Sequence, residues 1–434
     1  MNPDKNVRPA ELQCRSFGKD KNVLLSDKVI QFLAERNEDA ARLLSGLIGF
    51  HSAVHHEEDV QAFLFHYLTT LGYDAEEAPI DEDIVNDPDY TEVSGHKSYE
   101  GKNNVVLRLP GSGGGRSLIL NSHSDVVPGP EDMFMPRYED GVVYGRGSCD
   151  AKGHIVTMLM VLRAFSELGV KLKGDLSVQM VIEEEVGGNG TLSLLRQGHR
   201  ADAVVVLEPS NLQVCPANRG AVWYRLSVKG RPVHMAKYWE GVNAVHEMIG
   251  IINVLREYET KLRRESKGHP LFHDDPSAVG VNLGVIRGGD WPATVAGECT
   301  IEGGIAFLPN KRLKQIKDEV WEAIEHGADD WAREHFTLDF ARLHNDAYET
   351  SVDHPVVTAL CEAADKIRGA QPATGFVASC DARLFYHRGE MPTVVFGAGD
   401  LSHAHSATEQ IKVDDIIKAA QALTLFVMDW CGVE

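Results

Sequence analysis

The sequence predicts an α/β fold, a mixed and largely parallel sheet flanked by helices, with a smaller α+β unit inserted into it. Three observations carry this expectation. Short apolar runs alternate with longer helical patterns through the first half, the texture changes near Gly220, and a run of the first kind returns near residue 392. A chain of 434 residues also exceeds the usual size of a single core, which favours two domains or one large domain carrying an insertion.

The strand candidates of the first half are "NVVLRL" (104–109), "SLILN" (117–121), "LSVQMVI" (176–182) and "AVVVL" (203–207), joined much later by "PTVVFG" (392–397). Between the second and third lies "AKGHIVTMLMVLRAFSELG", in which Ile155, Met158, Leu159, Leu162 and Phe165 recur at helical spacing, so its methionines read as core. "GSGGG" (111–115) precedes a strand and has no Lys-Ser/Thr after it, so it reads as a strand connection and not as a phosphate cradle.

From Gly220 the order is strand "AVWYRLSVKG", helix "GVNAVHEMIGIINVLREYETKLRRE", strands "AVGVNLGVI" and "GECTIEGGIAF", then helix "NKRLKQIKDEVWEAIEHGADDWAREH". This is a self-contained unit of about 120 residues, an ordinary domain size. Residues 218–345 are therefore expected to be an insertion that splits a catalytic domain into 1–217 and 346–434.

The hydrophobic share of 43% and charged share of 25% describe a globular chain. Its formal charge of −21 disfavours nucleic acid and anionic membrane surfaces. "KLRRESK" (261–267), the one basic cluster, reads as a solvated helix end. No apolar run reaches membrane-spanning length and the N-terminus has no apolar segment of signal-peptide type, so a cytoplasmic location is expected. Seven cysteines (14, 149, 215, 299, 361, 380 and 431) without a C-x-x-C pair read as reduced thiols. Cys149 and Cys380 each precede an aspartate and read as buried thiols, not nucleophiles.

Ligands in open α/β sheets bind beyond the carboxyl ends of the strands. After "SLILN" come His123 and Asp125; after "LSVQMVI", Glu183, Glu184 and Glu185; after "AVVVL", Glu208; after "PTVVFG", Asp400, His403 and His405. Asp150 ends "YGRGSCD" directly before the long helix. Each alone has a bland reading, a packed histidine or a charged turn. Collected at one sheet edge, so many carboxylates repel one another and resist burial unless a cation compensates them. Two imidazoles with several carboxylates suit zinc, with cobalt and manganese as alternatives, and suffice for two ions that share one bridging carboxylate.

From about residue 50 to the C-terminus the chain resembles the metal-dependent exopeptidases and deacylases that include acetylornithine deacetylase, succinyl-diaminopimelate desuccinylase, aminoacylase and glutamate carboxypeptidase. The stretches that carry the resemblance are "NSHSDVVP", "YGRGSCDAKG", "VIEEEVGGNGT", "LEPS", "GRPVHMAKYWEGVNA" and "GAGDLSHAHSATEQI". The resemblance implies that Asp150 bridges two metal ions, with His123 and Glu208 on one and Glu185 and His405 on the other. It further implies that Asp125 holds His123 through the far ring nitrogen, and that Glu184 is the general base that deprotonates water and returns the proton to the leaving amine. Glu183 is then the last strand residue or a spare charge, His403 a supporting group, and His51, His55, His56, His154 and His387 structural or solvated. His234 is implied to reach the active site of a partner subunit and support the oxyanion, which makes the expected assembly a homodimer through 218–345.

Three positions depart from the family pattern. Ala151 stands where a methionine is usual. Gly303 and Gly304 occupy the region of a carboxylate-reading arginine, with Arg287, Arg383 or Asn282 as substitutes. Trp291, Pro292 and Ala293 replace an asparagine after the double glycine, and Trp291 is expected to pack, with lining the substrate pocket as the alternative. The leading functional reading is an N-deacylase of a small acylated amine or amino acid, of the acetylornithine deacetylase type; the others are a dipeptidase or carboxypeptidase on the same two-metal site, an aminohydrolase releasing ammonia, and a non-catalytic metal-binding relative.

Overall fold

Six strands form the central sheet of the computed structural model, which describes residues 24–434 apart from 274 and 341. In spatial order they are Ala75–Pro79, Asn103–Leu109, Leu176–Val181, Leu118–His123, Val204–Val206 and Thr393–Val395. The first two pair antiparallel with each other, and Asn103–Leu109 also pairs antiparallel with Leu176–Val181. The remaining pairings are parallel. All five apolar runs read as strands in the sequence lie in this sheet.

Alternation along the strands sorts the side chains into two faces. Leu118, Leu120, Val178 and Val205 join the core built with the helices Asn37–Ile48, Lys152–Leu168, Pro355–Arg368 and Val413–Trp430. Ile119, Val204 and Val206 face the other way, against Leu192, Leu384 and Phe385. The helix Lys152–Leu168 is buried almost all round, Met158 and Met160 included, as its apolar pattern predicts. Each fully buried aliphatic side chain in these layers contributes roughly 1.5–3 kcal/mol.

A second, antiparallel sheet is built from Gly280–Gly288, Glu298–Phe307, Gly220–Lys229 and Phe336–Asp339 in that order, with His344–Asn345 also pairing to Gly220–Lys229. Val222, Tyr224, Leu226 and Val228 alternate onto its inner face. There they meet Met248, Ile251, Leu255, Tyr258 and Leu262 of Ala244–Ser266, spaced three and four apart, and Ile316, Val320 and Ile324 of Leu313–Gly327. The outer face carries Trp223 and Leu283, both exposed. "GSGGG" connects two strands of the central sheet, and "KLRRESK" spans the end of the helix Ala244–Ser266.

No helix among the described residues is long and apolar enough to cross a membrane. Cys149, Cys215, Cys299, Cys361, Cys380 and Cys431 are free thiols, all but Cys361 buried, and Cys14 lies outside the described residues. Burial pushes the Cys149 and Cys380 thiols up, the opposite of what a nucleophile needs.

Candidate metal centre

Leu118–His123 is the point where the parallel strands change direction of growth. The chain passes from it to Leu176–Val181 on one side and then to Val204–Val206 on the other, which opens a crevice at its carboxyl end. Register does the rest: His123 pairs with Val181 and Asn121 with Val206, so residues just beyond those partners flank His123. These are Glu184 and Glu185 on one side and Glu208 on the other.

Asp150 completes the arrangement. Its Oδ1 lies 3.1 Å from Nε2 of His123, and its Oδ2 lies 3.4 Å from Nε2 of His405. The His123 Nε2 is also 4.0 Å from Glu208 Oε1, and the His405 Nε2 is 2.9 Å from Glu185 Oε2. The two oxygens of Asp150 thus face two separate histidine–glutamate pairs. Donor atoms on one tetrahedral zinc, with bonds of about 2.0–2.1 Å, stand about 3.4 Å apart, close to these separations. His123, Asp150 and Glu185 each place a donor atom within 4.8 Å of the others. His405 is 53% exposed while the others are buried, so the group opens to solvent on the His405 side.

The electrostatics fit cations at this place. Burial pushes the carboxyls of Glu184 and Glu208 well above the ordinary range, with neighbouring carboxylates adding to the rise against the pull of His123. Glu185 is pushed up to about 7 by burial and the Asp150 charge. Burial works the same way on Asp150, but hydrogen bonds with His123 and His405 outweigh it and hold its carboxyl low. The same bonds with Asp150 and Glu185 lift His405 to about 10. Glu208 Oε1 is buried without a hydrogen-bond partner. A pair of divalent ions held by these residues would neutralise this crowded charge and satisfy that oxygen.

The supporting structure is wider than His123 and Asp125. The His123 Nδ1 lies 3.4 Å from Asp125 Oδ1 and 3.0 Å from the Asp125 carbonyl oxygen. The Asp125 carboxylate also accepts from the backbone N–H groups of Glu184 at 3.2 Å and Glu185 at 3.1 Å, so one side chain fixes both the histidine and the acidic turn. The turn itself needs glycine: Gly187 and Gly188 have φ of +124° and +83°, and a Cβ on Gly188 would lie 2.1 Å from Asp381 Oδ1.

Two residues to which sequence reasoning gave no role stand here. Glu409 accepts from the backbone N–H of Cys149 and of Asp150, each at 3.0 Å, and from Arg146 at 2.5 Å, which fixes the loop presenting Asp150. It is the glutamate that ends "HSATE", visible in the sequence as the end of a motif. Asp381 is buried, accepts from Thr191 at 2.6 Å and is pushed up to about 6 by burial. Its sequence signal was only its place after Cys380.

Other predicted residues fall elsewhere. Glu183 is neither a strand residue nor a spare charge: the strand ends at Val181, and Glu183 is buried with φ of +61°, accepting from Tyr99 and Asn189. Asp400 caps the short turn Leu401–His403 through Ser402 N–H, and that turn carries His403 while His405 beyond it reaches Asp150. His154 is fully buried, with Gly397 packed against its ring. Arg383 is buried and donates to the Gly187 carbonyl at 2.8 Å, beside the acidic turn. Arg287 instead pairs with Glu302 on the second sheet, and the Asn282 carbonyl accepts from Tyr224 there. Ala151 is buried and caps the helix Lys152–Leu168.

His234 stands apart from the centre, exposed on the second unit, with Nδ1 accepting from the Ala236 N–H at 3.1 Å. It bridges to Thr294, next to the Trp291 turn. Trp291 does not pack as expected. It is 69% exposed, in the connection between the strands Gly280–Gly288 and Glu298–Phe307.

The sequence pattern of peptidase family M20/M25/M40 matches residues 119–429. The N-formyl-4-amino-5-aminomethyl-2-methylpyrimidine deformylase of Bacillus subtilis is 28% identical, covering 92% of this chain and 96% of its own. The acetylornithine deacetylase of Myxococcus xanthus is 30% identical, covering 76% of this chain and 85% of its own. In structure, the YXEP protein of Bacillus subtilis, a dinuclear metal binding peptidase from the M20 family, superposes with a TM-score of 0.65 at 12% identity, over 92% of this chain and 99% of that one. The chain therefore belongs to peptidase family M20/M25/M40 and is a hydrolase of amide-type C–N bonds.

Proposed function

We propose that the protein removes a small acyl group, of the formyl or acetyl class, from an amine, using two divalent metal ions with zinc as the native metal. The observation that carries this reading is Asp150, whose two oxygens face His123 with Glu208 and His405 with Glu185. When bound, the ions lower the pKa of water and polarise the amide carbonyl. Glu184 takes the proton of the attacking water and returns it to the leaving amine. Asp125 is a positioning residue that orients His123 and the backbone of Glu184 and Glu185. A formyl or acetyl substrate is favoured because the deformylase matches over nearly its whole length and the deacetylase over most of its own.

Metal-loaded protein assayed against N-formyl, N-acetyl and N-succinyl amines beside dipeptides tests this. The expected result is a kcat/KM for N-formyl or N-acetyl amines at least about tenfold above that for dipeptides. Dipeptide preference would make the protein a peptidase, and release of ammonia would make it an aminohydrolase. Asp150→Ala is expected to lose two equivalents of zinc together, read by elemental analysis, because each ion loses the carboxylate they share. Asp125→Ala is expected to weaken zinc binding by about 10- to 100-fold in chelator competition, since His123 loses its orienting partner.

Residues 218–345 form, in the same proposal, a dimerisation and lid domain inserted between the catalytic parts 1–217 and 346–434. A separate sheet and core support the division. The homodimer is supported by apolar side chains exposed among the described residues: Leu283 and Ile286 on the edge strand Gly280–Gly288, and Tyr238, Trp239 and Trp291 near His234. His234 acts in the partner's active site. A cytoplasmic location belongs to the proposal too, supported by the six free thiols among the described residues.

A further inference from the structure

A second group of metal-ligating side chains lies outside the centre described above. His55, His96 and Glu183 each present one donor atom, all within 4.8 Å of one another. They come from three places: the loop before the helix Glu58–Thr70, the segment between the strands Ala75–Pro79 and Asn103–Leu109, and the turn after Leu176–Val181.

The hydrogen bonding leaves one buried donor atom unsatisfied on each of two of these residues. Glu183 Oε2 accepts from the Tyr99 hydroxyl and from Asn189 Nδ2, each at 2.9 Å, whereas Glu183 Oε1 is buried with no partner. Nε2 of His96 is likewise buried without a partner. A carboxylate oxygen and a ring nitrogen left in this state are both unfavourable, and a cation bound by both residues would satisfy them. The His55 Nε2 lies 3.0 Å from the Ser94 carbonyl, which can only accept. The ring N–H therefore stands on Nε2 and the lone pair on Nδ1, which leaves Nδ1 able to bind a metal while Nε2 is anchored. Tyr99 orients two of the three donors: its hydroxyl holds Glu183 and its ring packs on His96 with centroids 4.1 Å apart.

We propose that His55, His96 and Glu183 bind one further divalent transition-metal ion, separate from the pair at Asp150. Two imidazoles with one carboxylate suit zinc or cobalt; calcium and magnesium call for an all-oxygen shell. Both histidines are partly exposed, which gives the ion an entry path and leaves its fourth position to water. The ion ties two loops to Glu183, and Glu183 is followed directly by Glu184 and Glu185. Its role is to hold the root of the acidic turn; it takes no part in the chemistry.

Zinc titration of the metal-free full-length protein, followed by desalting and elemental analysis, tests the site. His55→Ala/His96→Ala is expected to retain one equivalent of zinc fewer than the unaltered protein, whatever the total. Equal zinc in the two would overturn the proposal. A second measurement covers the case in which that variant misfolds. Asp150→Ala protein titrated with cobalt is expected to develop a visible absorption band that saturates at one equivalent and is absent when Glu183→Gln is added. A band that persists with Glu183→Gln, or no band at all, would overturn it. Failure of the two-ion reading would appear instead as an Asp150→Ala variant with undiminished zinc, leaving the difference made by His55 and His96 intact.

Discussion

Glu184→Gln is expected to lower kcat by about 10⁴-fold, a loss of about 5.4 kcal/mol of transition-state stabilisation, while the zinc content stays that of the unaltered protein. Glutamine keeps the shape of the side chain and cannot accept a proton, so the change isolates the base. The backbone N–H of Glu184 is held by Asp125, and that bond does not depend on the side chain, so the turn and its neighbour Glu185 stay in place. Glu184 also has neither a histidine nor Asp150 within ion-pair distance in the described structure, whereas Glu185 meets His405 at 2.9 Å. A companion Glu184→Asp retains the base but withdraws it by one methylene, and a loss of about 10²-fold is expected from misplacement alone. Steady-state kinetics with parallel metal analysis read all three values. A glutamine variant with substantial turnover would remove Glu184 from the base role, and one that lost a metal ion would make it a ligand.

The sequence made the centre legible because its parts sit at fixed offsets from apolar strands. His123 ends one, Glu185 and Glu208 follow two others within a few residues, and parallel register carries all three to one edge. The supporting shell was much less legible. Glu409 reaches the Asp150 backbone across 259 residues, and nothing in the local pattern of either stretch announces that contact. Glu183 looked like surplus charge because its partners, Tyr99 and Asn189, lie 84 and 6 residues away, and a run of three glutamates gives no hint that the first turns inward with a positive φ. Trp291 was misread for a different reason. Hydrophobicity predicts that a tryptophan will be covered, but not whether the cover comes from its own chain, and among the described residues Trp291 stays 69% exposed.

That uncovered surface leads to the second large effect. His234→Ala is expected to lower kcat by about 10²- to 10³-fold with little change in KM, the size of effect seen when one oxyanion donor is removed. The Nδ1 of His234 accepts from the Ala236 N–H, so the neutral ring carries its proton on Nε2 and offers it as a donor on an exposed side chain. Exposed Met235, Tyr238, Trp239 and Trp291 surround it, a setting suited to burial against a second subunit. If the donor works across the interface, two inactive proteins complement each other. In a dimer of one Glu184→Gln and one His234→Ala chain, the second chain's site keeps Glu184 and receives His234 from the first. Random pairing of equal amounts makes half the dimers mixed, each with one complete site of two, so about a quarter of full activity is expected to return. Co-expression or mixing under subunit exchange, with assembly checked by light scattering, reads the outcome. No return of activity in confirmed mixed dimers would place His234 in its own subunit's site or outside the chemistry, and a fully active monomer would remove both the dimer and the shared site.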